Sequence, residues 1–219
     1  DLLSFDEYGG TWVKQTDAKW HFINKTGKDL GMFNDKGDTY RAFSNNGYNV
    51  YENSDAAYVL LDKNGSTIKN FDAIYNFNYG VGGYKCKSTG KYGFIDVNGN
   101  KITTCDFDGF EGFTEDGMSK VTKTIDGKNK SGYVDAKGNI ILPIVYDYVY
   151  NFRDGWGLIY KDGKYFYVDR SGNLKDPPGK YDELYEFRSG YSMAKIKGTG
   201  TDPHKYVYIN KSHLSRVVK

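Results

Sequence analysis

Short runs of alternating residues bounded by glycine turns set the pattern of this chain, and the runs are unusual in being apolar at odd and even positions alike. In Tyr165-Phe166-Tyr167-Val168-Asp169, a strand would turn Tyr165 and Tyr167 to one side and Phe166 and Val168 to the other. The same holds for Trp20 and Phe22 against Ile23, and for Tyr206 and Tyr208 against Val207 and Ile209. A lone sheet built this way would expose one greasy face to water, so each sheet needs a neighbour on both sides.

One stretch reads as four strands. Tyr146 to Phe152 predicts strand one, and Gly155 turns the chain into strand two, Trp156 to Lys161. Asp162-Gly163 is a two-residue hairpin turn of the kind that accepts positive φ. Strand three is Lys164 to Asp169, followed by a second turn, Asp169 to Gly172, in which Asp accepts backbone amides and Gly takes the left-handed position. Strand four follows and is seen best in the preceding unit, as Asn139 to Leu142, with Pro143 expected to close it there. Leu214 to Val218 is a further strand-four candidate.

Two motifs recur in alternation. In the first, an Asp stands five residues before a Phe, an apolar residue three before it, and a Gly follows: Asp38/Phe43/Gly47, Asp72/Phe77/Gly80, Asp108/Phe113/Gly117, Asp147/Phe152/Gly155 and Asp182/Phe187/Gly190, with Leu2, Phe5 and Gly9 as a truncated copy. The second is an aromatic strand ending in an Asp or Asn turn, at Trp20–Asn24, Tyr58–Asp62, Tyr92–Asp96, Ser131–Asp135, Tyr165–Asp169 and Tyr206–Asn210. The period is roughly 36 residues, the signature of a repeat architecture. The expectation is therefore all-β: six tandem four-stranded β repeats in one domain, 1–219, with units at approximately 1–37, 38–71, 72–107, 108–146, 147–180 and 181–219. A β-propeller-like arrangement is the first choice and an open β-solenoid the alternative.

Composition agrees with many turns and strands: 21 Tyr, 13 Phe and 27 Gly against 38% apolar residues. With 30 basic and 28 acidic residues the charge is nearly balanced, so nothing calls for nucleic acid or an anionic membrane. No run of residues is long and apolar enough for a transmembrane helix. The sequence begins at Asp1 rather than Met, and we expect a processed protein or a cut piece of one. Cys86 and Cys105 lack metal-ligand spacing; two thiols are the first reading and a disulfide the second.

Lys91-Tyr92-Gly93-Phe94-Ile95-Asp96-Val97-Asn98-Gly99-Asn100-Lys101-Ile102 resembles the repeat of bacterial WG-repeat (KWG-repeat) proteins. Lys130 to Asp135 and Ile144 to Gly155 match the same pattern, and the likeness extends over essentially the whole chain. Only Gly93 and Gly132 keep the second signature residue, and only Trp20 keeps the Trp. The resemblance implies a bacterial, surface-exposed or secreted, β-rich protein without assigned activity. Lys164 to Asn173 also looks like the choline- and glucan-binding repeats of Gram-positive surface proteins, but their shorter period and their Trp in each repeat argue against that family here.

No catalytic constellation is predicted. His21, His204 and His213 have no recurring Ser or Cys partner, so the chain is read as not an enzyme, without cofactor or metal. The turns Asp62 to Ser66 and Asp96 to Asn100 faintly resemble calcium loops, yet each supplies a single carboxylate, so turn chemistry is the better account. The Asp of the first motif is expected to cap backbone amides, and its Phe to lie in the core. The residue after the motif Gly varies (Tyr48, Val81, Met118, Trp156, Tyr191); it is core by default, and Tyr48, Trp156 and Tyr191 are the binding candidates. Two functions stay open: a module binding a cell-wall glycan through aromatic rings, or a protein-interaction scaffold on another surface protein, monomeric in either case. Exposed aromatics recurring at one equivalent position would favour glycan, and one irregular patch a protein.

Overall fold

In the computed structural model, residues 10–16, 20–24, 26–27, 29–33, 49–52, 58–61, 67–75, 77–198 and 203–215 are described. The motif copies around Phe5 and Phe43, the turn 62–66 and Tyr48 lie outside them. Two compact units divide the chain, Asp1–Asp106 and Phe107–Lys219.

The first unit holds three antiparallel sheets among the described residues. They are β1 (Gly10–Lys14), β2 (Trp20–Asn24) and β3 (Asp29–Phe33); β4 (Asn49–Glu52), β5 (Tyr58–Leu61) and β6 (Thr67–Phe71); β7 (Ala73–Ile74), β8 (Val81–Lys85) and β9 (Tyr92–Asp96). Leu60, Ile74, Phe77, Tyr84 and Ile95 form a core between the second and third of these sheets. Cys86 and Cys105 are joined by a disulfide, with their Cα atoms 6.1 Å apart. This corrects the thiol reading. Cys86 follows β8 and Cys105 lies beyond β9, a contact across the hairpin that 19 residues of separation conceal.

The second unit also holds three sheets among the described residues. The first is β10 (Gly109–Phe110), β11 (Met118–Ile125), β12 (Lys128–Asp135) and β13 (Ile140–Tyr146). The next is β14 (Tyr148–Val149), β15 (Trp156–Lys161), β16 (Lys164–Asp169) and β17 (Leu174–Lys175). The last is β18 (Glu183–Leu184), β19 (Tyr191–Ile196) and β20 (Lys205–Asn210). No sheet closes on itself among the described residues.

Strands two and three fall where the alternation puts them, and three details differ. Pro143 does not close strand four: β13 continues to Tyr146, which pairs with Ser131 after a register shift. β13 is an edge strand, so its missing amide leaves no ladder bond unmade. Strand one shrinks to Tyr148–Val149 because Tyr146 belongs to the preceding sheet. Leu214 is not in a strand but in a one-turn helix, α1 (Ser212–Ser215), and is buried against the last sheet.

The two-faced apolar pattern is satisfied by stacking. The sheet β14–β17 turns Val149, Ile159, Phe166 and Val168 towards Met118, Tyr133 and Leu142 of the sheet before it. Its other face, Trp156, Leu158, Tyr165 and Tyr167, packs against Leu184, Phe187, Ala194 and Ile209 of the sheet after it. The described motif phenylalanines, Phe77, Phe113, Phe152 and Phe187, are all buried.

Glycine in the repeat signature has a steric cause: a Cβ on Gly132 would sit 2.4 Å from the carbonyl oxygen of Leu142, and one on Gly93 2.7 Å from that of Thr104. Gly157 is bare for a different reason. Its Cβ would lie 2.6 Å from Val168 Cγ1 and 2.7 Å from the Tyr133 ring, which enters from the neighbouring sheet.

Gly157→Ala is accordingly expected to destabilise the fold by about 1–3 kcal/mol, the range for overfilling a packed core, as read by urea unfolding. Cys86→Ser with Cys105→Ser should cost about 3 kcal/mol in the chain-entropy model, and reduction of the unmodified chain should lower Tm by the same route.

Candidate functional site

Each junction in the second unit is built on the same parts. At the first, the Tyr133 ring meets Phe152 edge-on, centroids 5.4 Å apart, and its hydroxyl donates to the carbonyl of Tyr150. Burial pushes the Tyr133 phenol far above its ordinary range. At the second, Tyr167 lies 4.9 Å from Phe187 and its hydroxyl shares a 2.8 Å hydrogen bond with Ser192, whose Oγ bonds the carbonyl of Tyr185. Burial pushes the Tyr167 phenol up to about 12. Tyr150 and Tyr185 hold equivalent places two residues before their Phe. Where Gly157 leaves room the tyrosine reaches the carbonyl directly; where Ser192 stands, its hydroxyl relays the bond.

Carboxylates clamp the same junctions. Asp116 accepts the amide of Gly155 at 3.0 Å and pairs with Arg170. Asp154 accepts the amide of Gly190 and faces Lys211 at 3.7 Å. Glu186 reaches back to accept the amide of Asn151 at 2.8 Å and Arg153 Nε at 3.1 Å.

Among the described residues, the last sheet has one face without such a neighbour. Tyr191, Met193 and Tyr208 occupy the places of Trp156, Leu158 and Tyr167. Tyr133 and Tyr167 are each 0% exposed, whereas Tyr208 is 75% exposed and Tyr191 51%. Tyr150, Tyr185, Glu186, Arg188, Tyr191, Met193 and Tyr208 line a groove of about 570 Å³ there. Tyr185 donates to Glu183, and that hydrogen bond raises its phenol above the usual value.

Of the three binding candidates, Tyr191 lies on this open face. Trp156 is buried against Phe187, with centroids 6.4 Å apart, and Tyr48 lies outside the described residues. Val81 and Met118, at the same repeat position, are also buried. Within the second unit, position in the repeat therefore does not decide exposure: Trp156 has a following sheet over it, and Tyr191 has none among the described residues. Tyr208 was missed because its counterparts in the aromatic strand read as core, and Tyr185 because its position, two before the motif Phe, belongs to neither motif. The available signal was that the second residue after the motif Gly is small (Gly82, Ser119, Gly157, Ser192), the mark of an aromatic arriving from elsewhere.

The remaining polar candidates serve local structure. Asp96, Asp135 and Asp169 each accept two backbone amides and an Asn side chain at 2.8–3.0 Å. Asp108 and Asp182 accept the amides of Thr124 and Lys197, and Asp147 binds Lys130. His21 is buried and bonds Asp29 through Nδ1 at 2.7 Å, and His204 accepts the amide of Gly198. His213 lies in α1. Among the described residues no group of His, Cys, Asp and Glu is placed to hold a metal, and no helix is long and apolar enough to cross a membrane.

Burial pushes the carboxyls of Asp96, Asp135 and Asp169 up, but the bonds from Asn100, Asn139 and Asn173 and from the turn amides outweigh it and hold all three below the ordinary 3.8. Their stabilisation is full above that value and is lost as pH falls through the lowered one, where the unfolded chain takes up protons first. Urea unfolding between about pH 5 and pH 2 should show stability falling with acid, and Asp135→Asn with Asp169→Asn should flatten that slope.

A search of curated proteins found no match to this chain. Among solved structures, a eukaryotic initiation factor aligns over 94% of this chain and 62% of its own length, at 14% identity and a TM-score of 0.50, a likeness of fold alone. BamB from Moraxella catarrhalis aligns over 96% of this chain and 76% of that one (10% identity, TM-score 0.43), and TolB from Acinetobacter baumannii over 83% and 57% (15% identity, TM-score 0.35). Residues 92–128, 132–165 and 165–199 match the family described as WG containing repeat. Those three consecutive repeats lie on the sheets whose signature glycines and stacked aromatics are described above, and over residues 92–199 the chain carries the WG containing repeat.

Proposed function

We propose that this chain is a non-catalytic protein-interaction module, and that the groove on its last sheet is the contact surface. The carrying observation is the distribution of exposed tyrosines. Among the described residues, Tyr185, Tyr191, Tyr206 and Tyr208 are exposed together on the last sheet, while Tyr79 and Tyr148 are exposed singly elsewhere. One irregular aromatic patch fits a protein partner, where Tyr rings and an arginine act as anchors, better than a regular ladder of sugar sites. The face-to-face stacking at both junctions of residues 107–219 supports a propeller-like reading of the repeats.

The disulfide supports a location outside the reducing cytosol, at a bacterial surface or in the secreted fraction, since such bonds persist in oxidising compartments.

The test is cross-linking and capture from an extracellular protein fraction with the full chain and with Tyr185→Ala/Tyr191→Ala/Tyr208→Ala. A protein captured by the first and lost from the second is expected, with no retention on neutral or acidic polysaccharide. Equal capture by both chains, or retention on polysaccharide that the triple substitution abolishes, would overturn the reading.

A further inference from the structure

The open face is the third member of a series whose first two members are occupied. After each of the sheets β10–β13 and β14–β17, the next sheet offers the tyrosine a buried phenylalanine, a Gly or Ser that leaves room for the ring, and a carbonyl that accepts the hydroxyl. The last sheet carries the same tyrosine, Tyr208, which is 75% exposed.

We propose that this face receives the leading edge of another repeat sheet of the same kind, carried on a partner polypeptide. This rests on the protein-interaction reading and names the partner's chemistry. The partner edge needs a Phe before a turn glycine, and Gly or Ser at the second residue after that glycine, because any larger side chain would stand where the Tyr208 ring goes. It also needs an acid at a defined place. Arg153 follows Phe152 directly and pairs with Glu186, the residue before Phe187 of the next sheet. Arg188 follows Phe187 in the same way and is exposed beside the groove, so the matching partner carries Glu immediately before its Phe. The earlier sheets add a carboxylate clamp, Asp116 or Asp154, for a cation of the next sheet; the last sheet has Ser189 in that position and makes no such demand.

The probe is a backbone-cyclised, fluorescently labelled peptide of Tyr148–Asp169 bearing Asn151→Glu, its hairpin verified by NMR, titrated with the full chain and followed by anisotropy. Saturable binding is expected, weakened more than about tenfold by Tyr208→Ala. A Gly157→Val peptide should not bind. Arg188→Glu in the chain should weaken binding several-fold, and a peptide with Asn151→Arg should restore it.

A folded peptide that fails to bind, or binds Tyr208→Ala equally well, overturns the proposal. Self-association of the chain that Tyr208→Ala abolishes overturns it too, by giving the face to a second copy. If the peptide fails while partner capture remains sensitive to the triple substitution, only the repeat-like partner is wrong and the interaction surface stands.

Discussion

Everything in the second unit depends on sheets that are apolar on both faces and can stay dry only between neighbours. The decisive contact is an aromatic side chain in the middle of strand three, Tyr133 or Tyr167, driven into the next sheet against its motif phenylalanine. Its ring supplies the buried area, and its hydroxyl finds a carbonyl or serine so that no polar atom is stranded. The small residue opposite exists to admit it. Ring, gap and acceptor are one device, and a change to any of them acts on two sheets at once.

Around that apolar contact the polar groups fix register. Asp116 and Asp154 take the amide of the next sheet's turn glycine and hold a cation beside it, while Glu186 reaches back to the preceding sheet. Within each sheet, the Asp turns and the motif aspartates satisfy backbone amides that short strands would otherwise leave without a partner. These aspartates thus serve the scaffold, holding turns, strand ends and the contacts between sheets.

A module that covers its faces by stacking has one face left wherever stacking stops, and that face is already shaped to bury an aromatic ring. Tyr191, Met193 and Tyr208 hold the places of residues that are core one repeat earlier. On the reading proposed above, no separate binding architecture has to be added to the repeat. In the first unit, the disulfide adds a covalent tie beside the buried cluster of Leu60, Ile74, Phe77, Tyr84 and Ile95.

By itself, the sequence determined the repeat, the strand-two and strand-three positions, the Asp and hairpin turns and the two-faced burial of the central sheet, because these rest on local periodicity and turn chemistry. It did not determine where Pro143 or Leu214 would sit, since an edge strand tolerates a missing amide and a terminal helix can bury a leucine as well as a strand can. Nor could it pair Cys86 with Cys105 or separate Trp156 from Tyr191, which occupy one repeat position with opposite fates. Those outcomes depend on what lies across a hairpin or over a sheet, and contacts between distant residues are settled only when the chain has packed.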